Sequence, residues 1–133
     1  MASTNIIKGF AFPFRTGSDG CPQPAYDDQV LHDSLKQLAH TQQNERVMRS
    51  KLGMRTQAQI FEAPTARQLE VLSTEFRAAA RTYEPRVIVQ VAKAVRVEND
   101  AAPESLTGVD MEVSFVAVPN RTTRTLNTRI GGK

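Results

Sequence analysis

Apolar residues along the chain first recur at helical spacing and later at strand spacing. From Asp27 to His40, Val30, Leu31, Leu35 and Leu38 share one face, and Asp27 and Asp28 sit in the first turn, where the helix dipole favours acids. A second helix is predicted from Thr65, where Thr65-Ala66-Arg67-Gln68 fits a capping box after Pro64. Leu69, Leu72, Phe76, Ala79 and Tyr83 then recur at spacings of 3, 4, 3 and 4, which makes one buried stripe opposite Arg67, Glu70, Arg77 and Arg81. Between the two helices, Arg55 to Phe61 offers one or two helical turns. Beyond Pro85 the period shortens. Val87 to Val97 reads as a long strand with Val89, Val91, Val95 and Val97 on one face. Across a turn region at 99–108 containing Pro103, Val109, Met111, Val113 and Phe115 alternate with Asp110, Glu112 and Ser114. That is a half-buried second strand, close enough to pair with the first as a hairpin.

The flanks are less patterned. Residues 1–26 are punctuated by Gly and Pro and read as an extended arm with a turn at Gly17-Ser18-Asp19-Gly20. After Pro119 the chain is Thr-rich (Thr122, Thr123, Thr125, Thr128), with Leu126 and Ile130 widely spaced. Such a segment has strand propensity and little to bury. It is disordered, folds back as a third strand, or pairs with an edge supplied by another chain. The expected architecture is one α+β domain over residues 1–133, with a core at 27–118, the arm at 1–26 and the tail at 119–133. Two main helices pack on one face of a small, mostly antiparallel sheet, the Leu69/Leu72/Phe76 stripe facing the valines of the first strand.

Length and composition narrow the class. A chain of 133 residues has a single-domain length and can bury roughly two-thirds of its surface. No apolar run approaches the ~20 residues that span a bilayer, and residues 1–20 lack the basic-then-apolar order of a secretory signal. Cys21 is the single cysteine, so no internal disulfide forms, which suits a reducing cytoplasm. Charge is unevenly placed. Residues 1–112 hold 13 of the 17 basic and all 14 acidic residues, whereas the last 21 hold Arg121, Arg124, Arg129 and Lys133 with no acid. The tail alone therefore makes the chain basic. A nucleic-acid surface wants aromatics among its cations for stacking, and this tail has none.

Catalytic and metal chemistry find little support. A glycosidase needs two carboxyls across a cleft, one with a raised pKa. Glu45 and Glu84 are the pair to weigh, but Arg46 and Arg86 lie beside them in sequence, and a nearby cation lowers a carboxyl pKa. There is no Trp to stack on a sugar. His32 and His40 are eight residues apart, too far to grip one metal from one helix face, and no phosphate-cradling Gly loop is present. The expectation is no enzyme, no metal and no cofactor.

The junction Glu84-Pro85-Arg86 carries most information. Pro85 lacks a donor and pushes Glu84 out of helical geometry, so the chain turns between the second helix and the first strand. A carboxylate at a helix C-terminus is disfavoured by the dipole and wants a cation, which Arg46, Arg81 or Arg86 can supply internally. In extended geometry the Glu84 and Arg86 side chains project to the same side, leaving one to pair inward and the other to reach a partner. Arg46, directly after a tight turn, reads as a structural clamp.

Taken in order, these segments resemble the baseplate-wedge and sheath-initiator family of contractile phage tails, whose relatives include lysozyme-like small baseplate subunits and type VI secretion baseplate proteins. The resemblance rests on Gly9-Phe10-Ala11-Phe12-Pro13-Phe14, on Thr41 to Gly53 with Asn44-Glu45-Arg46-Val47-Met48, on Ile60-Phe61-Glu62, and on Tyr83-Glu84-Pro85-Arg86. The chain departs from the family pattern with Asn44 for Gly, Ser50 for Pro and Leu52 for an aromatic. Asn tolerates a left-handed turn nearly as well as Gly.

That resemblance implies a structural subunit of a virion tail baseplate, assembled in the host cytoplasm, that nucleates the tail sheath. The equivalent subunit of a type VI secretion or tailocin-like particle is the alternative. Implied partners are the larger wedge proteins, the sheath protein and tube or hub proteins, in six copies per particle, with neither nucleic acid nor membrane. Glu84, Pro85 and Arg86 would bind the wedge, and Glu45 and Arg46 would act as clamp or interface. Val113, Phe115, Arg121, Arg124 and Leu126 would pair with a sheath strand, residues 109–118 supplying the edge.

Overall fold

Both helices form where the apolar stripes place them. The computed structural model describes residues 7–55, 65–97, 108–119 and 121–130. Helix α1 spans Asp27–His40 and buries Leu31, Leu35, Leu38 and Ala39. Helix α2 spans Ala66–Tyr83 and buries Leu72, Phe76 and Ala80. The expected capping box is present: the Thr65 hydroxyl accepts from the Gln68 N–H, and the Gln68 side chain accepts from the Thr65 N–H at 2.7 Å. The helical turns expected from Arg55 to Phe61 lie outside the described residues beyond Arg55, as does the turn at 99–107.

The sheet has three strands, β3 (Val87–Arg96), β4 (Val109–Ala117) and β5 (Thr123–Ile130), antiparallel in the order β3-β4-β5. The β3–β4 hairpin is the predicted one. Of the readings open for the tail, the fold takes the third strand. Strand β4 is therefore the centre of the sheet, not an edge, and its Val109, Met111, Val113, Phe115 and Ala117 are buried in the core. Leu126 and Ile130 give β5 just enough apolar face to close that core.

Strand β3 departs from the expected alternation. A register shift between Val89 and Val91 leaves Gln90 as the extra residue of a β-bulge. One extra residue inverts the two-residue side-chain period. Val87 and Val89 face inward, then Ala92 and Ala94 do, while Val91 and Val95 are 52% and 44% exposed. The α2 stripe thus meets two valines and two alanines rather than a row of four valines.

Both helices lie on the inner face, α1 beside β5 and α2 beside β3. The Ser73 hydroxyl of α2 accepts from the Ala94 N–H at 3.2 Å, occupying a donor on the outer edge of β3. The predicted arm folds as a small hairpin, with β1 (Lys8–Phe10) antiparallel to β2 (Pro24–Tyr26). Gly17 N–H to Cys21 O at 2.8 Å closes its turn. Buried Asp33 of α1 accepts from the Phe12 N–H at 3.1 Å and ties the arm to the core.

A candidate docking corner and sheet edge

At the end of α2, Glu84 still donates its N–H to Ala80 O at 2.8 Å, and Pro85 then forces the turn into β3. The corner is not extended, so the two charges do not split between inside and outside. Arg86 grips Glu84 with two bonds, Nε to Oε1 at 2.6 Å and Nη2 to Oε2 at 2.8 Å. Glu84 is only 6% exposed, whereas the Arg86 side chain keeps 44% of its surface. Burial alone would raise the Glu84 pKa, but hydrogen bonds from Arg86 and Ser34 and the Arg86 charge outweigh it and hold the carboxyl below its usual value. A carboxylate so held keeps its charge at neutral pH and cannot act as a general acid. Glu45, the other carboxylate weighed for such a pair, is exposed and accepts from the Gln42 N–H at 2.8 Å.

The second motif comes to the same corner. A cavity of about 100 Å³ is lined by Ser34, Leu38 and Thr41 of α1 and its C-cap, by Arg46 and Leu52 of the following loop, and by Tyr83 and Glu84. The Tyr83 hydroxyl donates to Lys51 O at 2.8 Å, binding the loop to the end of α2. Within the loop, Asn44 takes the left-handed conformation (φ 70°) and donates to Ser50 O at 2.7 Å. Gly53 (φ 105°) lies so close to Thr41 that a Cβ would collide with its carbonyl. Arg46 is exposed and makes no ion pair among the described residues.

The residues assigned to a partner strand sit elsewhere than expected. Val113, Phe115 and Leu126 are fully buried. Arg124 donates to Asp28 at 2.8 Å and so belongs to an ion pair of this chain. Arg121 lies in the β4–β5 turn with φ 51°. The reason is topological: with strands on both sides, β4 has no ladder groups to offer. The sheet's edges are β3, where the Ser73 hydroxyl takes the Ala94 N–H, and β5. Ala117 N–H to Thr122 O at 3.0 Å closes the β4–β5 turn. Bonded pairs alternate along an antiparallel ladder, so Arg124, Leu126, Thr128 and Ile130 bond to β4. The N–H and C=O groups of Thr123, Thr125, Asn127 and Arg129 face outward. Among the described residues nothing bonds to them.

Sequence reasoning missed the acids that hold this edge in place. Asp28 accepts from the Thr122 hydroxyl at 2.9 Å as well as from Arg124. Asp110 accepts from Arg129 at 2.8 Å, and that hydrogen bond lowers the Asp110 pKa. Two of the four tail cations, Arg124 and Arg129, are thus paired with acids of residues 27–118. His40 Nε2 and the Thr128 hydroxyl are 2.9 Å apart, and burial, with Lys36 nearby, lowers the His40 pKa.

The comparisons fit this architecture. A structure of the anti-feeding prophage baseplate, six-fold symmetrised, contains a chain with the same fold: TM-score 0.67 at 20% identity, over 84% of this chain and 85% of that one. A putative tail lysozyme from Geobacter sulfurreducens aligns with TM-score 0.61 at 18% identity, over 80% of this chain and 93% of that one. No curated protein sequence matches significantly. The family model described as "Baseplate wedge protein gp25" matches residues 25–120, a span that takes in α1, the loop, the Glu84–Arg86 corner and β4, and the chain belongs to that family.

Proposed function

We propose that the protein is a non-enzymatic subunit of a contractile-tail baseplate that docks on the larger wedge subunits through Glu84-Pro85-Arg86 and starts sheath growth through the outer edge of β5. The observation that carries this reading is the open edge. Four outward backbone positions on an eight-residue strand, held by core acids at Asp28 and Asp110, are what strand addition by another chain requires. The corner supports the docking half: Pro85 and the outer side of Arg86 are exposed, rigid and joined to the core through Glu84. The neighbour from an anti-feeding prophage baseplate supports an injection particle as readily as a phage tail, and its six-fold symmetry supports six copies of the present subunit in the virion or particle baseplate.

Incorporation into the wedge tests the docking half. The Arg86→Ala variant, co-expressed with the larger wedge subunits of the same particle, is expected to stay folded and drop out of the purified wedge. Full incorporation of this variant would show that the corner is not the docking site.

A further inference from the structure

The loop at residues 42–54 ends in an apolar tip that the fold does not use. Val47 is 91% exposed and Met48 is 100% exposed, the highest values among the exposed large apolar residues. The tip is not a loose excursion. Gln43 N–H to Met54 O at 3.1 Å, Met54 N–H to Thr41 O at 2.9 Å and Asn44 N–H to Ser50 O at 2.7 Å close the loop at its base, and Arg49 N–H to Arg46 O at 3.2 Å closes the tip itself. Met48 is held at φ 63°, a conformation uncommon for a residue other than Gly, Asn or Asp. Holding an apolar side chain in water on a strained backbone has no folding benefit, and such strain concentrates at contact sites.

Charge says what the tip fits. Arg46, Arg49 and Lys51 surround it, all exposed and without an ion pair among the described residues. The loop's carboxylate, Glu45, is turned back onto Gln42. Arg86, by contrast, is already neutralised by Glu84. The corner alone therefore exerts little long-range attraction, and the loop beside it supplies the positive field. Because Tyr83 bonds Lys51 and the Arg46–Glu84 cavity joins the two, loop and corner form one continuous surface.

We infer that Val47 and Met48 are an anchor that inserts into an apolar pocket rimmed by Asp and Glu side chains on the same wedge subunit that receives Glu84-Pro85-Arg86. The identity of the partner rests on the docking reading; the chemistry of its surface does not. Met suits such a role because its unbranched, polarisable chain adapts to an irregular pocket. Desolvated apolar anchors control dissociation, whereas the surrounding cations control encounter and salt dependence.

The test compares three variants for binding to the immobilised larger wedge subunits of the same particle. Val47→Ser with Met48→Asn leaves every described hydrogen bond in place, and Asn tolerates the left-handed backbone. Its thermal midpoint should match the parent while its affinity falls at least about tenfold, through faster dissociation. Arg46, Arg49 and Lys51 changed together to Gln should slow association and flatten its salt dependence. Unchanged affinity for the double variant overturns the proposal; if Arg86→Ala alone loses binding, the docking reading survives that failure. If the double variant loses binding and Arg86→Ala does not, the loop anchor stands and the corner is not the contact. Selective loss by the double variant of binding to vesicles of phosphatidylcholine and phosphatidylglycerol, with wedge affinity kept, would assign the tip to a membrane and overturn the proposal.

Discussion

Arg86 and Glu84 satisfy each other, and that changes what a substitution there reports. Removing Arg86 leaves a carboxylate 6% exposed with Ser34 as its remaining side-chain donor. The expected loss at neutral pH is about 1–3 kcal/mol, below that for a fully buried pair because water reaches Arg86. The pH dependence separates this effect from lost packing. The folded pKa of Glu84 lies below its unfolded value of 4.5, so the pair's stabilisation is present above that pH and fades as pH falls through the folded pKa. Denaturant midpoints of parent and Arg86→Ala should accordingly differ most near neutrality and converge toward acid. A difference that stays constant down to pH 3 would mean the ion pair is not its source. The internal pairing was one of the options legible from the sequence, since a carboxylate at a helix C-terminus wants a cation. The roles of Asp28 and Asp33 were not legible. An acid in the first turn of a helix already has a reason to be there, and the partners of Asp28 lie 94 and 96 residues away.

Helix α2 illustrates how far periodicity reaches. Its stripe, its start and its capping box all follow from local rules that need no knowledge of the rest of the chain. Phe76 lies at the centre of that stripe, fully buried against the inner face of the sheet. Phe76→Ala should cost about 3–5 kcal/mol, the range for deleting a buried aromatic ring. A denaturation midpoint close to the parent's would show that the site collapses around the vacancy. Strand β3 marks the limit of the same reasoning. Its bulge was hidden because Val and Ile occupy both parities before Gln90, so neither register looks wrong locally. One signal was present: a continuous alternation through Val89, Val91 and Val95 would also bury Lys93. Shifting the phase at Gln90 puts Ala92 and Ala94 inside and leaves Lys93 in water, which is the arrangement found. The loop at 42–54 was legible as a turn through Asn44 and Gly53. Its closure onto Tyr83 depends on a tertiary contact that no spacing encodes.

At the scale of the whole molecule, the position of β5 decides how the sheet can meet another chain. A tail with only Leu126 and Ile130 as large apolar residues does not announce a third strand, because what stabilises it is a ladder with β4 and two ion pairs to distant acids. With β5 in place, β4 loses its edge and the test of strand addition moves. A proline at Val113 or Phe115 removes a bond of the internal ladder and unfolds the sheet. A proline at Thr125 or Asn127 removes only an outward N–H, which no described group uses, and an edge strand tolerates it. Thr125→Pro and Asn127→Pro should therefore remain folded, join the wedge as the parent does, and fail to start sheath growth. The readout is sheath length on assembled particles viewed by electron microscopy, with wedge incorporation measured on the same preparation. Full-length sheaths on both variants would show that the β5 edge is not the template. Loss of wedge incorporation as well would place the defect in folding or docking, and circular dichroism of the purified variant distinguishes those two. The strand-addition reading stands only if wedges form normally and sheaths do not.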